Sequence, residues 1–240
     1  MSLSARRVRA IVTKEFREYR RNRNVIVAMG VYPLIFMVQP LIAVFAVHGA
    51  AAAALSGRHE LLFMLGIPIL VPATLAAFAV AGERQQETLE PMLVSPISRE
   101  EFLLGKQIAV FLPAVVIAYL VFALYILVIQ LFAEPAVAVA VIEPGDIVAQ
   151  VVFTPLLAAW SIWVGIAVST RTSDARVAQQ LSVVSSLPLL FVTIAIAFGV
   201  VEPSLQLALI LGAVLLIADV TAWRVIAPLF DRERLISGPH

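Results

Sequence analysis

Residues 82–106 read GERQQETLEPMLVSPISREEFLLGK, one of the few polar intervals in the chain. Apolar runs at 61–81 and 108–132 flank it. Each is close to the roughly 20 residues that cross a bilayer as a helix. A polar stretch so rich in charges, Pro and capping residues is more than a linker needs. It reads as a short folded element presented at a membrane face.

Composition agrees. The chain is 61% hydrophobic and 14% charged, with a mean hydropathy of +0.98. A soluble domain carries about 25% charged residues. The apolar residues arrive in blocks, as in helices that cross lipid. Six spans are expected, at 25–47, 61–81, 108–132, 147–169, 181–201 and 205–223. The first is too long for a cleavable signal and follows a basic arm. The fold expected is all-α, a polytopic membrane protein of six transmembrane helices with an N-terminal amphipathic interfacial helix. Residues 1–24 form that helix, 25–223 the membrane domain with 82–106 as its coupling loop, and 224–240 a tail.

Lys and Arg set the expected orientation. Of 17 basic residues, 16 fall on the face of the 82–106 loop, and only Arg58 falls on the other. The positive-inside rule assigns that face to the cytoplasm, with both termini inside. A cell membrane, inner or plasma, is the expected location. In the N-terminal arm Val8, Ile11, Val12, Phe16 and Tyr19 share one helical face, and basic residues fill most of the rest. Such a helix lies in the headgroup layer as a topology anchor, and can also touch a cytoplasmic partner.

The chemistry missing from the sequence narrows function. There is no Cys, hence no thiolate metal site or Cys nucleophile. The three His residues, His48, His59 and His240, lie in expected loops or the tail, and no zinc-protease or serine-nucleophile motif occurs. No catalytic residue, metal site or bound cofactor is read from the chain, and no nucleic-acid partner. Glu60, Glu134, Glu143, Asp146 and Glu202 are read as solvated loop charges on the outer face. Asp219, near the end of span six, is read as structural, within reach of water or Arg224. Midplane carboxylates of the kind that couple ions to transport are not evident. Pro33, Pro40, Pro68 and Pro72 predict bends in spans one and two. The Ala/Val alternation within 133–146 is read as a short extended or interfacial segment, and Asp146 as an N-cap for span four.

No phosphate-binding loop is present: Glu100 stands where the first Gly of G-x-x-x-x-G-K-[ST] belongs, and Gln107 follows Lys106. An ATP-driven role therefore needs a separate ATPase and a surface to receive it. Within the loop, helix is expected to continue through 83–89. Pro91 can open a second short helix, whose apolar edge is Leu89, Met92 and Leu93. Ser95–Pro96 breaks it, and Ser98 with Glu101 forms a capping box leading into span three. An apolar edge rimmed by charge is how a small interface looks from one side.

Here the sequence resembles the ABC-2 type permeases, the membrane subunits of ATP-binding-cassette exporters. Their loop runs approximately E-R-E-x-G-T-L-E-x-L-L-x-[ST/A]-P-[LIV]-S-R and closes with G-K. Glu83, Arg84, Thr88, Leu89, Glu90, Leu93, Ser95, Pro96, Ser98, Arg99, Gly105 and Lys106 match it. Gln85 replaces an acid, and Glu87 replaces a Gly. The resemblance implies a permease without enzymatic activity of its own, paired with a second permease chain, identical or related, and surrounded by lipid. It implies that cytoplasmic ABC ATPase subunits using ATP and Mg dock on Glu83, Arg84, Thr88, Leu89, Glu90, Pro91, Met92, Leu93, Ser95, Pro96 and Arg99. Gln39, Thr74, Trp160 and Ser161 are the sparse polar or aromatic points of an apolar pathway, suited to lipophilic or amphipathic compounds such as drugs. Many members carry re-entrant helices between spans five and six, for which the 202–204 turn leaves little room. Two other readings use the same six spans: an ATP-independent carrier, channel or lipid scramblase, and an assembly or anchor protein that moves nothing.

Overall fold

A computed structural model describes residues 4–46, 55, 58–78, 81–85, 97–172 and 174–226. The described residues are helical, with no strand. Helix α1 is Ala5–Tyr19, and α2 is Arg23–Phe45. A 3-10 helix, Glu60–Leu65, runs into α3, Gly66–Ala77, and α4 is Ala81–Gln85. Then come α5 (Arg99–Phe132), α6 (Pro135–Val141), α7 (Pro144–Arg171), α8 (Ala175–Ala197) and α9 (Leu205–Ile226). Six segments are long and apolar enough to cross a membrane. They correspond to the six expected spans.

Span two is the hub. Every residue of α3 is buried, with α7 and α8 packed along it. Small residues permit the approach: a Cβ on Gly165 of α7 would lie 2.6 Å from Ala76 Cβ and 3.0 Å from the Ala73 carbonyl oxygen. Pro68, in the first turn of α3, and Pro72, in its interior, each lack the N–H that a helix uses. Ser169 ties α3 to α4: its Oγ donates to the Ala77 carbonyl at 2.7 Å and accepts from Ala81 N–H at 2.9 Å. The outer surfaces of α2, α5 and α9 are lined with exposed Leu, Ile and Val, as lipid-facing helices are.

Helix α5 is the longest. At 1.5 Å per residue its 34 residues reach about 50 Å, one rod from the loop to the opposite face. The capping box is present as expected: Ser98 Oγ accepts from Glu101 N–H at 3.2 Å, and Glu101 Oε2 accepts from Ser98 N–H at 2.9 Å.

Three readings change. The Ala/Val segment is helical over Pro135–Val141: Pro135 opens the helix, and Val137 and Val141, four apart, are its buried face. Asp146 lies in the first turn of α7, and Glu143 holds the cap position. Glu60 and Asp146 are not solvated charges, being 1% and 4% exposed. Among the described residues, half-buried Asp219 has its Oδ1 unpartnered and makes no ion pair to Arg224. Between α8 and α9 there is a turn and no re-entrant helix. Gly199, at φ 68°, takes the left-handed conformation. It lets Val200 N–H reach the Ala195 carbonyl at 2.9 Å, and Gly199 N–H the Ile196 carbonyl at 3.0 Å, closing α8.

Candidate coupling site

The buried face of α1 comprises Val8, Ile11, Glu15 and Tyr19. It rests on the start of α5. A Cβ on Gly105 would fall 2.7 Å from Ile11 Cγ2 and 2.8 Å from its Cβ, so only glycine permits this approach. Helix α1 is thus a protein–protein packing element, whatever its relation to headgroups. Phe16, placed by periodicity on the apolar face, is 37% exposed. The stripe drifts around the helix, and Glu15 takes the inward position.

Glu15 is turned inward because a cation meets it. Lys106 Nζ, on a side chain 2% exposed, lies 2.7 Å from Glu15 Oε1 and 2.5 Å from Glu83 Oε1. Lys14 approaches from the rim, 2.7 Å from the same Glu83 oxygen and 3.1 Å from Glu18 Oε1. Lys106 also lies 5.5 Å from the centre of the Phe102 ring. Two ammonium groups thus face two buried carboxylates, and each buried charge has an opposite within contact distance. That pairing is what makes burial tolerable. Burial and the Lys106 charge push the Lys14 pKa down; Glu83 and Glu15 outweigh them, and it lies above its ordinary value. Burial, with help from Glu15, Glu18 and Glu83, holds the Tyr19 phenol well above its usual range.

A second node sits one turn along α5. Glu101, fully buried, accepts from Ser4 N–H at 2.7 Å through Oε1 and pairs with Arg7 Nε at 3.1 Å, while its other oxygen serves the capping box. Ser4 and Glu101 are 97 residues apart in sequence. Helix α1 is therefore fastened to α4 through Glu83, and to α5 through Glu101, Gly105 and Lys106. These are the two stems of the 82–106 loop.

Of the expected docking residues, Glu83 is at the centre of the cluster. Arg84 lies on α4 and Arg99 opens α5. Thr88, Leu89, Glu90, Pro91, Met92, Leu93, Ser95 and Pro96 lie outside the described residues. Among the pathway residues, Thr74 and Ser161 are fully buried on α3 and α7. The Thr74 hydroxyl donates to the Val71 carbonyl of its own helix at 2.7 Å. Trp160 is half-buried against the core. Gln39 borders an open groove, formed on α2 with Val31, Leu34, Ile35, Val38 and Ile42. Its Nε2 donates to Glu60 Oε2 at 3.4 Å.

Sequence reasoning missed Glu15 and Lys14. A signal existed for Glu15: it falls four residues after Ile11 and four before Tyr19, an acid in the apolar stripe.

Residues 9–227 match the family described as ABC-2 family transporter protein. The matched region takes in most of α1 and every span through α9. The chain belongs to the ABC-2 transporter family. It is a multi-pass membrane permease subunit of an ABC transporter, a class of subunit that works with ABC ATPase partners. No curated protein matches this permease.

Proposed function

We propose that this ABC-2 permease is the membrane subunit of an ATP-driven exporter and that a cytoplasmic ATPase docks on the segment between α4 and α5. The observation that carries the reading is the ion-paired brace formed by α1, Glu83 and Lys106. A loop that only joined two spans has no need of stems fixed by buried charges. A loop that receives force does, because a push on 86–96 then moves α1, α4 and the base of α5 together. Helix α5 carries the displacement across the membrane along one continuous helix.

In this mechanism ATP and Mg act in the partner, and the permease supplies a two-state pathway. Nucleotide favours one state only to the extent that the docked ATPase binds that state better. A second permease chain completes the pathway, with the apolar α2 groove and Gln39 facing it. The apolar lining suits lipophilic or amphipathic cargo such as drugs.

The test is reconstitution with the cognate ATPase. Leu89→Asp or Met92→Asp is expected to leave insertion intact and to uncouple ATP hydrolysis from transport. Normal coupled transport in both variants, or equal transport by the permease alone, overturns the proposal. The latter result favours a stand-alone carrier, channel or scramblase.

A further inference from the structure

On the face opposite the loop, His59, Glu143 and Asp146 converge. His59 precedes the 3-10 helix that leads into α3, while Glu143 caps α7 and Asp146 lies in its first turn. His59 Nδ1 is 2.8 Å from Asp146 Oδ1 and 3.8 Å from Glu143 Oε2. One ligand atom from each residue lies within 4.8 Å of the other two. We propose that these three residues bind one divalent transition-metal ion of the zinc class.

Spacing is the first argument. Nitrogen and carboxylate ligands sit about 2.0–2.2 Å from zinc, so two ligand atoms of a tetrahedral site lie about 3.4 Å apart. The observed 2.8 and 3.8 Å straddle that value. Closing on an ion requires only small side-chain shifts. Unused ligand capacity is the second. The Asp146 side chain is 5% exposed, and among the described residues its Oδ2 has no hydrogen-bond partner. A buried carboxylate with one idle oxygen, beside an imidazole and a second carboxylate, is a donor set short of an acceptor of electron pairs. Charge is the third. Two carboxylates and a neutral imidazole sum to −2, which a divalent ion balances. Donor type selects the ion: imidazole suits zinc, copper and nickel, whereas an all-oxygen set suits magnesium or calcium. Three protein ligands leave a fourth position for water.

A bound ion fastens the outer end of span two to the outer end of span four. Its neighbour Glu60 reaches Gln39 of α2 at 3.4 Å, so the same corner holds three spans. The site lies at the end of the bundle opposite the Lys106 brace.

The experiment uses the full chain, purified in detergent with any affinity tag removed, and titrated with Zn2+ and Co2+. The expected result is one ion per chain, with proton release, a tetrahedral Co2+ absorption spectrum and a rise in Tm. Loss of even an outer-shell partner weakens metal binding about 10- to 100-fold, so His59→Ala and Asp146→Asn are expected to lose at least that much. His48→Ala and His240→Ala are expected to bind normally. His59→Cys, in a chain that otherwise lacks Cys, is expected to retain Co2+ and add a thiolate charge-transfer band. Retention of binding in His59→Ala, its loss in His48→Ala or His240→Ala, or no binding by the wild-type chain overturns the proposal. Monodisperse elution of His59→Cys and of Glu143→Gln, at the 38% exposed cap side chain, separates loss of the site from loss of the fold.

Discussion

Lys106 and Glu83, 23 residues apart and on opposite sides of the 82–106 loop, meet at 2.5 Å with both side chains almost fully buried. Glu15 of α1 closes the group at 2.7 Å from the same ammonium. The loop is thereby pinched at its base, and the pinch is held by a helix from the far end of the chain.

Removing one member of a buried ion pair strands the other, which costs about 3–5 kcal/mol. Lys106→Ala takes the buried ammonium away from Glu15 and Glu83 and leaves Lys14 at their rim. It is expected to lower Tm sharply and to expose α1 to hydrogen exchange. Lys106→Met combined with Glu15→Gln and Glu83→Gln removes the stranded charges, and is expected to recover much of the loss. A triple variant less stable than Lys106→Ala overturns the brace as described. Size-exclusion thermal stability on the detergent-solubilised protein makes the comparison.

The six spans and the capping box were legible because each is written locally: an apolar run of the right length, or Ser98 followed three residues later by Glu101. The brace was not, because it joins Glu15 to Lys106 across 91 positions, and nothing local says that α1 folds back onto α5. Pro135–Val141 misled for another reason. Ala and Val alternate there with no polar partner to mark a face, so period 2 in side-chain size imitated a strand. Glu134 and Pro135 decided otherwise by starting a helix, with the Glu134 carbonyl accepting from Val137 and Ala138. Asp146 looked solvated because a turn precedes it, and its contact with His59, 87 residues away, is not written locally.

Gly105 tests the packing of α1 without touching a charge. A methyl there would sit 2.7–2.8 Å from the β-branched side chain of Ile11, which has no rotamer that clears its own Cβ. Gly105→Ala is expected to cost about 1–3 kcal/mol by overpacking and to raise exchange in 5–19. Ile11→Ala in the same chain is expected to restore protection. Full protection in Gly105→Ala alone places α1 elsewhere.

Ser169 is expected to matter more than a serine near a helix end usually does, since its hydroxyl serves the end of α3 and the start of α4 at once. Ser169→Ala leaves the Ala81 N–H and the Ala77 carbonyl without that partner, at about 1–3 kcal/mol for each buried group left unsatisfied. The expected signature is a drop in Tm together with faster exchange at 81–85. A variant indistinguishable from wild type in both measurements removes Ser169 from the junction.

Alkaline pH should loosen α1 before it affects the spans. The Lys14 pKa is raised from 10.5, so its contribution is complete below that value and is lost as pH rises through the folded-state pKa. The Tyr19 pKa is raised well above 10.0. Above pH 10 the unfolded chain therefore loses the phenolic proton while the folded chain keeps it, and stability falls with pH. Both signs agree, and the window opens near pH 10. Tyr19→Phe cannot ionise and is expected to show a shallower decline of Tm with pH above 10 than wild type. Lys14→Met is expected to begin from a lower Tm and also to decline less. Parallel profiles for all three proteins contradict the placement of Tyr19 and Lys14 against the buried carboxylates.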